Sequence, residues 1–390
     1  MNSCTKVWKL LSGVSGTFSK PVSIGAKFPQ IKLCSRMSTN ASIPEHKRDI
    51  ETFQDVYPGI IETLSRNPGL YENRDVASWL NKVLDYNLHG GKKARALATI
   101  FAYETLERPE NITHEALRLI RVLGWCVEML QAYFLIMDDV MDGSAMRRGA
   151  PCWYRLPEVG LGAINDCNLV QAAMYDILKE YCAHLPTYKD IVHLFNETLF
   201  NTSIGQHLDY TMAHRIMTDY SMFTPERYTA IVTYKTAYYT FKMPVFLGML
   251  VATDMDQRIH PTVEKICLDM GYLFQMQDDF IDCFGAEHLT GKIGTDIQEG
   301  KCSWLAVQAL QRLTETQRKV FVACYGSHEP AHVERVKRLY EELGLPELYR
   351  KEETKRYDEI VERSQNLGPN AGTMPDLFIK LLALIYNRKK

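Results

Sequence analysis

The sequence lacks several features, and each absence narrows what the chain can be. It has no uninterrupted apolar run near the roughly 18 to 20 residues that a spanning helix needs, so the chain is not expected to cross a membrane. Its ten cysteines form no CxxC pair and no Cys/His spacing suited to zinc; they read as reduced, mostly buried thiols of an intracellular protein. Alternating strand-like runs with hairpin turns are nearly absent, which argues against a sheet-based fold. Residues 1–44 contain no Asp or Glu, although they carry Lys6, Lys9, Lys20, Lys27, Lys32 and Arg36. With Ser-rich composition and Val7, Trp8, Leu10, Leu11, Val14 and Phe18 as apolar positions, this leader reads as a mitochondrial transit peptide. Met37 offers a second start whose product would stay in the cytosol. Without the leader, 39 basic residues face 47 acidic ones, a net of −8, which argues against nucleic acid as a partner.

What is present is helical periodicity. Apolar residues recur at three- and four-residue spacing in Leu117, Ile120, Leu123, Val127, Leu130, Phe134 and again in Val263, Ile266, Cys267, Met270, Phe274. Breakers fall between such segments, at Asn67-Pro68-Gly69, Arg108-Pro109, Leu185-Pro186 and Thr224-Pro225. Length alone allows two or three domains in 390 residues. With no internal linker or repeat, residues 45–390 are expected to form one all-α domain, a bundle of long core helices.

Two of these stripes end in carboxylates. Leu123, Val127, Leu130 and Phe134 lead at the next four-residue step to Asp138, with Asp139 and Asp142 close by on the same face. Gly143 is expected to end that helix. Val263, Cys267, Met270 and Phe274 lead likewise to Asp278, followed by Asp279 and Asp282. Carboxylates in a last helical turn oppose the negative end of the helix dipole, at roughly 0.3–1 kcal/mol each when exposed. A solvated helix end would explain one such motif; two copies, each replacing a core stripe, call for a cation between facing helices. Oxygen-only ligands favour Mg²⁺, and admit Mn²⁺ or Co²⁺.

Cationic residues gather near the same motifs: Lys92, Lys93 and Arg95 after His89-Gly90-Gly91, then Arg147-Arg148, Lys235, Lys292 and Lys301. Gly91-Lys92 is not a phosphate-cradling P-loop, because the first glycine is missing and Lys93 stands where Ser or Thr is required. Six aspartates bring about −6, three Mg²⁺ would bring +6, and a diphosphate of roughly −3 needs about three cations such as Arg147, Lys235 and Lys292. Lys92, Arg95 and Arg148 remain for a second diphosphate. The count suits two diphosphate substrates, one with metals and one without.

In the stretches GGKKAR, LQAYFLIMDDVMDGSAMRRGAPCWYR, GQHLD, TYKTAYYTF, FQMQDDFIDCFG and GKIGTDIQEGKCSW, and in the basic end NRKK, the chain resembles the trans-isoprenyl diphosphate synthases, specifically the eukaryotic farnesyl diphosphate synthases. The similarity runs from about residue 47 to Lys390. It implies an all-α homodimer of the isoprenoid synthase fold, with a deep central cavity between the two aspartate helices. It also implies Mg²⁺, about three ions per site, ligated by Asp138, Asp142 and Asp278, with Asp139, Asp279 and Asp282 acting mainly through metal-bound water. Allylic diphosphate contacts carry over to Arg147, Lys235, Thr236, Gln275, Lys292 and Lys301. Those for isopentenyl diphosphate carry over to Gly91, Lys92, Arg95, Gln131 and Arg148, with Arg388 to Lys390 closing over it. The implied reaction needs no nucleophilic side chain: the diphosphate leaves dimethylallyl and then geranyl diphosphate, isopentenyl diphosphate attacks the allylic cation, and Thr236, Gln275 and carbonyls near Lys235 shelter it. His89 and His207 read as structural.

Phe134 lies one turn, about 5.4 Å, before Asp138, where the resemblance makes it the floor under the growing tail, flanked by Tyr133. Bulky side chains at these positions imply a fifteen-carbon product. Tyr133 stands where the family more often has Phe, which leaves a geranyl product as the alternative. A terpene synthase would have no use for Lys92, Arg95, Gln131 and Arg148, and a non-catalytic subunit no use for two intact aspartate motifs.

Overall fold

The computed structural model describes residues 45–215, 220–253, 259–285, 294–368 and 371–386. The expected leader, Lys292 and Arg388 to Lys390 lie outside the described residues. The chain opens with α1 (Glu45–Gln54), α2 (Tyr57–Ser65), α3 (Pro68–Glu72), α4 (Arg74–Leu88) and α5 (Ala94–Leu106), followed by the long α6 (His114–Asp142). A hairpin of β1 (Met146–Arg147) and β2 (Ala150–Pro151) is the only strand pair among the described residues. Then come α7 (Ala163–Cys182), α8 (Tyr188–Arg215), α9 (Pro225–Val232), a π-helical segment (Thr233–Lys242) and α10 (Met243–Val251). The remainder is α11 (His260–Phe284), α12 (Trp304–Leu310), α13 (Glu315–Cys324), α14 (Pro330–Glu342), α15 (Leu345–Gln365) and α16 (Met374–Tyr386).

Helix α6 starts at Thr113, whose side chain accepts from the Ala116 amide at 3.1 Å. It ends at Gly143 in the left-handed conformation, φ 67°, as the sequence predicts. It packs between α5, α7 and α10 and carries one apolar core with Leu123, Cys126, Val127 and Leu130. One correction follows: α6 is long and apolar enough to cross a bilayer, although no single run suggested it, and 72% of its most apolar stretch is buried by neighbouring helices. A central helix apolar on nearly every side needs no lipid to explain it. The second core forms around α11 with Val263, Ile266, Met270 and Leu273, closed by α15 and α16. The eight described cysteines are all buried and unpaired.

Between the cores runs one continuous helical rod, α9 into the π segment into α10, packed on α8 and α11. π turns are rare and gather at functional sites. Here two glycines bring neighbouring backbones flush with it: a Cβ on Gly205 of α8 would overlap the Lys235 backbone, and one on Gly271 of α11 would overlap Ala237. Pro244 follows where the wide turns end, a place where its missing N–H is tolerated. Gly205→Ala should therefore push the π segment off α8, lowering the melting temperature by roughly 3–8 °C and reducing turnover through Lys235. A variant with wild-type melting and rate would show that this approach is not needed.

Candidate active site

The first aspartate motif meets three cations at the end of α6. Asp138 accepts from Lys235 Nζ at 3.1 Å, from Gln206 Nε2 at 2.7 Å and from Arg147 at 3.3 Å. Asp142 accepts from Lys301 Nζ at 2.8 Å. Asp209 of α8 joins the two lysines, with Lys235 Nζ at 2.5 Å and Lys301 Nζ at 3.0 Å from one oxygen. Burial alone would raise the Asp138 and Asp209 carboxyls, but Lys235 and Lys301 beside them leave both below the usual range. Asp142 goes the other way, because burial and the neighbouring Asp138 outweigh Lys301. Both lysines resist the lowering effect of burial and are held firmly protonated, chiefly by Asp209.

The second motif lies on α11, tied to the first through the π segment. Lys235 is followed by Thr236, whose hydroxyl donates to Gln275 Oε1 at 2.8 Å, and Gln275 Nε2 donates to Asp279 at 2.9 Å. Asp278 is partly buried, and Asp282 accepts from the Thr295 and Asp296 amides at 3.3 and 3.0 Å. Asp139 is 3% exposed and both its oxygens accept from Arg147 Nε, at 2.8 and 2.9 Å. Asp279 is 4% exposed and takes Tyr228 Oη at 2.8 Å and the Trp304 amide at 2.7 Å besides Gln275. These protein donors tie Asp139 to Arg147, and Asp279 to Gln275, Tyr228 and the Trp304 amide. Burial pushes the Asp279 carboxyl up despite those three donors.

Arg147 and Arg148 part at the hairpin. Arg148 and Gly149 have φ of 53° and 79°, the pattern of a two-residue type I′ turn. Arg147 on β1 thus faces Asp139, while Arg148 at the tip lies against Gly91, where a Cβ would come within 2.9 Å of its guanidinium carbon. The hairpin is anchored on both sides: Tyr154 and Arg155 donate to the Ser144 and Gly143 carbonyls, each at 2.8 Å. Buried Asp166 accepts from Trp79 at 2.8 Å and Trp153 at 2.9 Å.

The Gly90–Lys93 loop turns on three left-handed residues, Gly90, Gly91 and Lys93. Lys92 is exposed on it, and buried Lys93 underpins it by donating to the Leu88 carbonyl and pairing with Glu128 at 3.6 Å. Arg95 donates to Tyr239 at 2.8 Å and to Thr240 at 2.9 Å, both from the π segment. Gln131 is half-buried on α6, two turns before Asp138. Burial lowers Arg148, with Arg147 and Arg95 adding to the effect and the Glu128 and Asp139 carboxylates opposing it. His89 caps α4 through the Asp85 carbonyl at 2.7 Å, and His207 is exposed.

Phe134, 9% exposed, meets Tyr133 edge-to-face at 5.1 Å between centroids and Tyr239 at 6.3 Å. Phe134 thus packs against a ring from the π segment as well as its own neighbour. Sequence reasoning assigned no role to Gln206 and Asp209, although GQHLD places them three residues apart on one face of α8.

The residues present suit a divalent ion. Asp142 Oδ1 is buried with no hydrogen-bond partner, a costly state unless a ligand occupies it. Among the described residues no three acidic, His or Cys side chains converge on one point. That pattern fits Mg²⁺ held by one or two carboxylates plus substrate phosphates better than a closed protein cage.

A polyprenyl synthetase family model matches residues 77–343. The chain is 41% identical over 360 residues to a farnesyl pyrophosphate synthase of Nezara viridula, covering 92% of this chain and 87% of that protein. It is 41% identical over 361 residues to a farnesyl pyrophosphate synthase of Homo sapiens, covering 92% and 86%. Among solved structures it is similar to a T. brucei farnesyl diphosphate synthase complexed with risedronate, with a TM-score of 0.80 at 34% identity over 87% of this chain and 99% of that one. With its family model, its relatives and its all-helical architecture in agreement, the chain belongs to the polyprenyl synthetase family.

Proposed function

We propose that this chain is a farnesyl diphosphate synthase, condensing isopentenyl diphosphate with dimethylallyl diphosphate and then with geranyl diphosphate in the presence of Mg²⁺. The observation that carries the reading is the division of charge across the π segment. On one side Asp138, Asp142 and Asp209 interleave with Arg147, Lys235 and Lys301. On the other, Arg148 lies against Gly91, and Arg95 donates to the neutral hydroxyls of Tyr239 and Thr240. The first suits a diphosphate that arrives with metal, the second a diphosphate that does not. Relatives named as farnesyl pyrophosphate synthases support the product, and a T. brucei farnesyl diphosphate synthase complexed with bisphosphonate supports a two-phosphate ligand.

Asp138, Asp142 and Asp278 would hold the ions, which supply Lewis acidity to the departing diphosphate. Arg147, Lys235 and Lys301 stabilise the charge that develops on the leaving oxygens, already in place and largely shielded from water. Thr236, oriented by Gln275, turns its oxygen to the allylic carbon, and Arg95 and Arg148 hold the attacking substrate. The released diphosphate takes the final proton. The enzyme is a homodimer, and residues 1–44 direct it to mitochondria, with a cytosolic form starting at Met37.

Purified protein, Mg²⁺, dimethylallyl diphosphate and labelled isopentenyl diphosphate should give labelled fifteen-carbon diphosphate. Absence of label in any prenyl product would overturn the reading, and label confined to ten carbons would favour the geranyl alternative.

A further inference from the structure

Asp209 belongs to neither aspartate motif, yet it sits on both lysines of the first: one of its oxygens is 2.5 Å from Lys235 Nζ and 3.0 Å from Lys301 Nζ, and the residue is 8% exposed. The same lysines reach Asp138 at 3.1 Å and Asp142 at 2.8 Å. Arg147 is engaged by Asp138 and Asp139. These three cations are thus all committed to carboxylates. A diphosphate arriving without metal has to break charge-assisted hydrogen bonds at both lysines and then lie close to carboxylates that repel it through a buried, low-dielectric setting. Asp138 and Asp142 would have their charges cancelled by the divalent ions they hold. Asp209 is different, because it occupies the lysines themselves, the positions a phosphate oxygen would take.

We propose that Asp209 makes diphosphate binding conditional on divalent metal, by competing with the ligand for Lys235 and Lys301 until bound ions tip the balance toward the ligand. Specificity of this kind comes from a repulsive element set against the wrong state of the ligand. The proposal rests on reading this site as a diphosphate site.

The test is calorimetric titration of inorganic diphosphate into the full chain, with Mg²⁺ and with chelator, alongside melting temperatures. The wild type should bind with Mg²⁺ and far more weakly without. Asp209→Asn keeps the shape and removes the competing charge, so its metal-free affinity should rise about tenfold or more, shrinking the ratio between the two conditions. Asp209→Glu, which keeps the charge, should retain the wild-type ratio. If the Asn variant does not fold, Asp209→Ser reads the same quantity. A folded charge-removed variant whose metal-free affinity equals or falls below wild type overturns the proposal, as does loss of the metal requirement in Asp209→Glu. A wild type that ignores diphosphate even with Mg²⁺ overturns the diphosphate site itself, and the proposal with it.

Discussion

Asp138→Ala should lower kcat/KM by roughly 10³- to 10⁵-fold, equivalent to several kcal/mol of lost transition-state stabilisation. The size follows from how many partners converge on that carboxylate. Asp138 accepts from Lys235, Gln206 and Arg147, and the proposed function makes it, with Asp142 on α6, a ligand for metal. Its removal takes away a metal ligand and also releases Lys235 and Arg147 from their alignment toward the leaving group. A second readout separates this from simple unfolding. In the wild type, Mg²⁺ together with inorganic diphosphate should raise the melting temperature well beyond either alone, because both bind only the folded state. In Asp138→Ala that cooperative rise should vanish while the ligand-free melting temperature stays close to wild type, since the carboxylate is partly exposed and sits at a helix end. Retention of the rise with near-normal turnover would remove Asp138 from the metal site.

Phe134→Ala should lengthen the product by at least one five-carbon unit. The ring lies one helical turn, about 5.4 Å, below Asp138, and it contacts Tyr133 and Tyr239. Truncation to a methyl group opens space on the side away from the diphosphate, where a growing tail extends. Three aromatic rings line this floor, so the opening depends on whether Tyr133 and Tyr239 stay in place; Phe134→Leu should give a mixture dominated by the shorter product. Stability should fall by about 2–4 kcal/mol, toward the low end for a buried Phe because the ring keeps some exposure. A fifteen-carbon product from a folded Phe134→Ala enzyme would assign the stop to another residue.

The helices were legible because the apolar stripes of α6 and α11 keep a period near 3.6 over many turns, and their interruption by aspartate is visible in the same register. The end of α6 was legible because Gly143 is the residue that a left-handed terminus favours. The π segment was not, since its wide turns carry no composition of their own; Thr233 to Lys242 reads as ordinary helix. What makes it is contact with Gly205 and Gly271, which lie 28 and 29 residues from its two ends on helices that only the fold sets beside it. Asp209 escaped notice because one carboxylate among polar neighbours on α8 carries no sign of which lysines it will meet.

The two carboxylate motifs show how the work divides. Sequence alone determined the all-helical class, the two aspartate-bearing helices and the cations near them, because periodicity and charge are properties of neighbouring residues. Which donors each carboxylate meets was decided only by tertiary structure. Asp139 and Asp279 are chemically identical to Asp138 and Asp278, but one turns into Arg147 and the other into Tyr228, Gln275 and the Trp304 amide. Which donors meet a carboxylate depends on residues far apart in the chain, and only the fold brings them together.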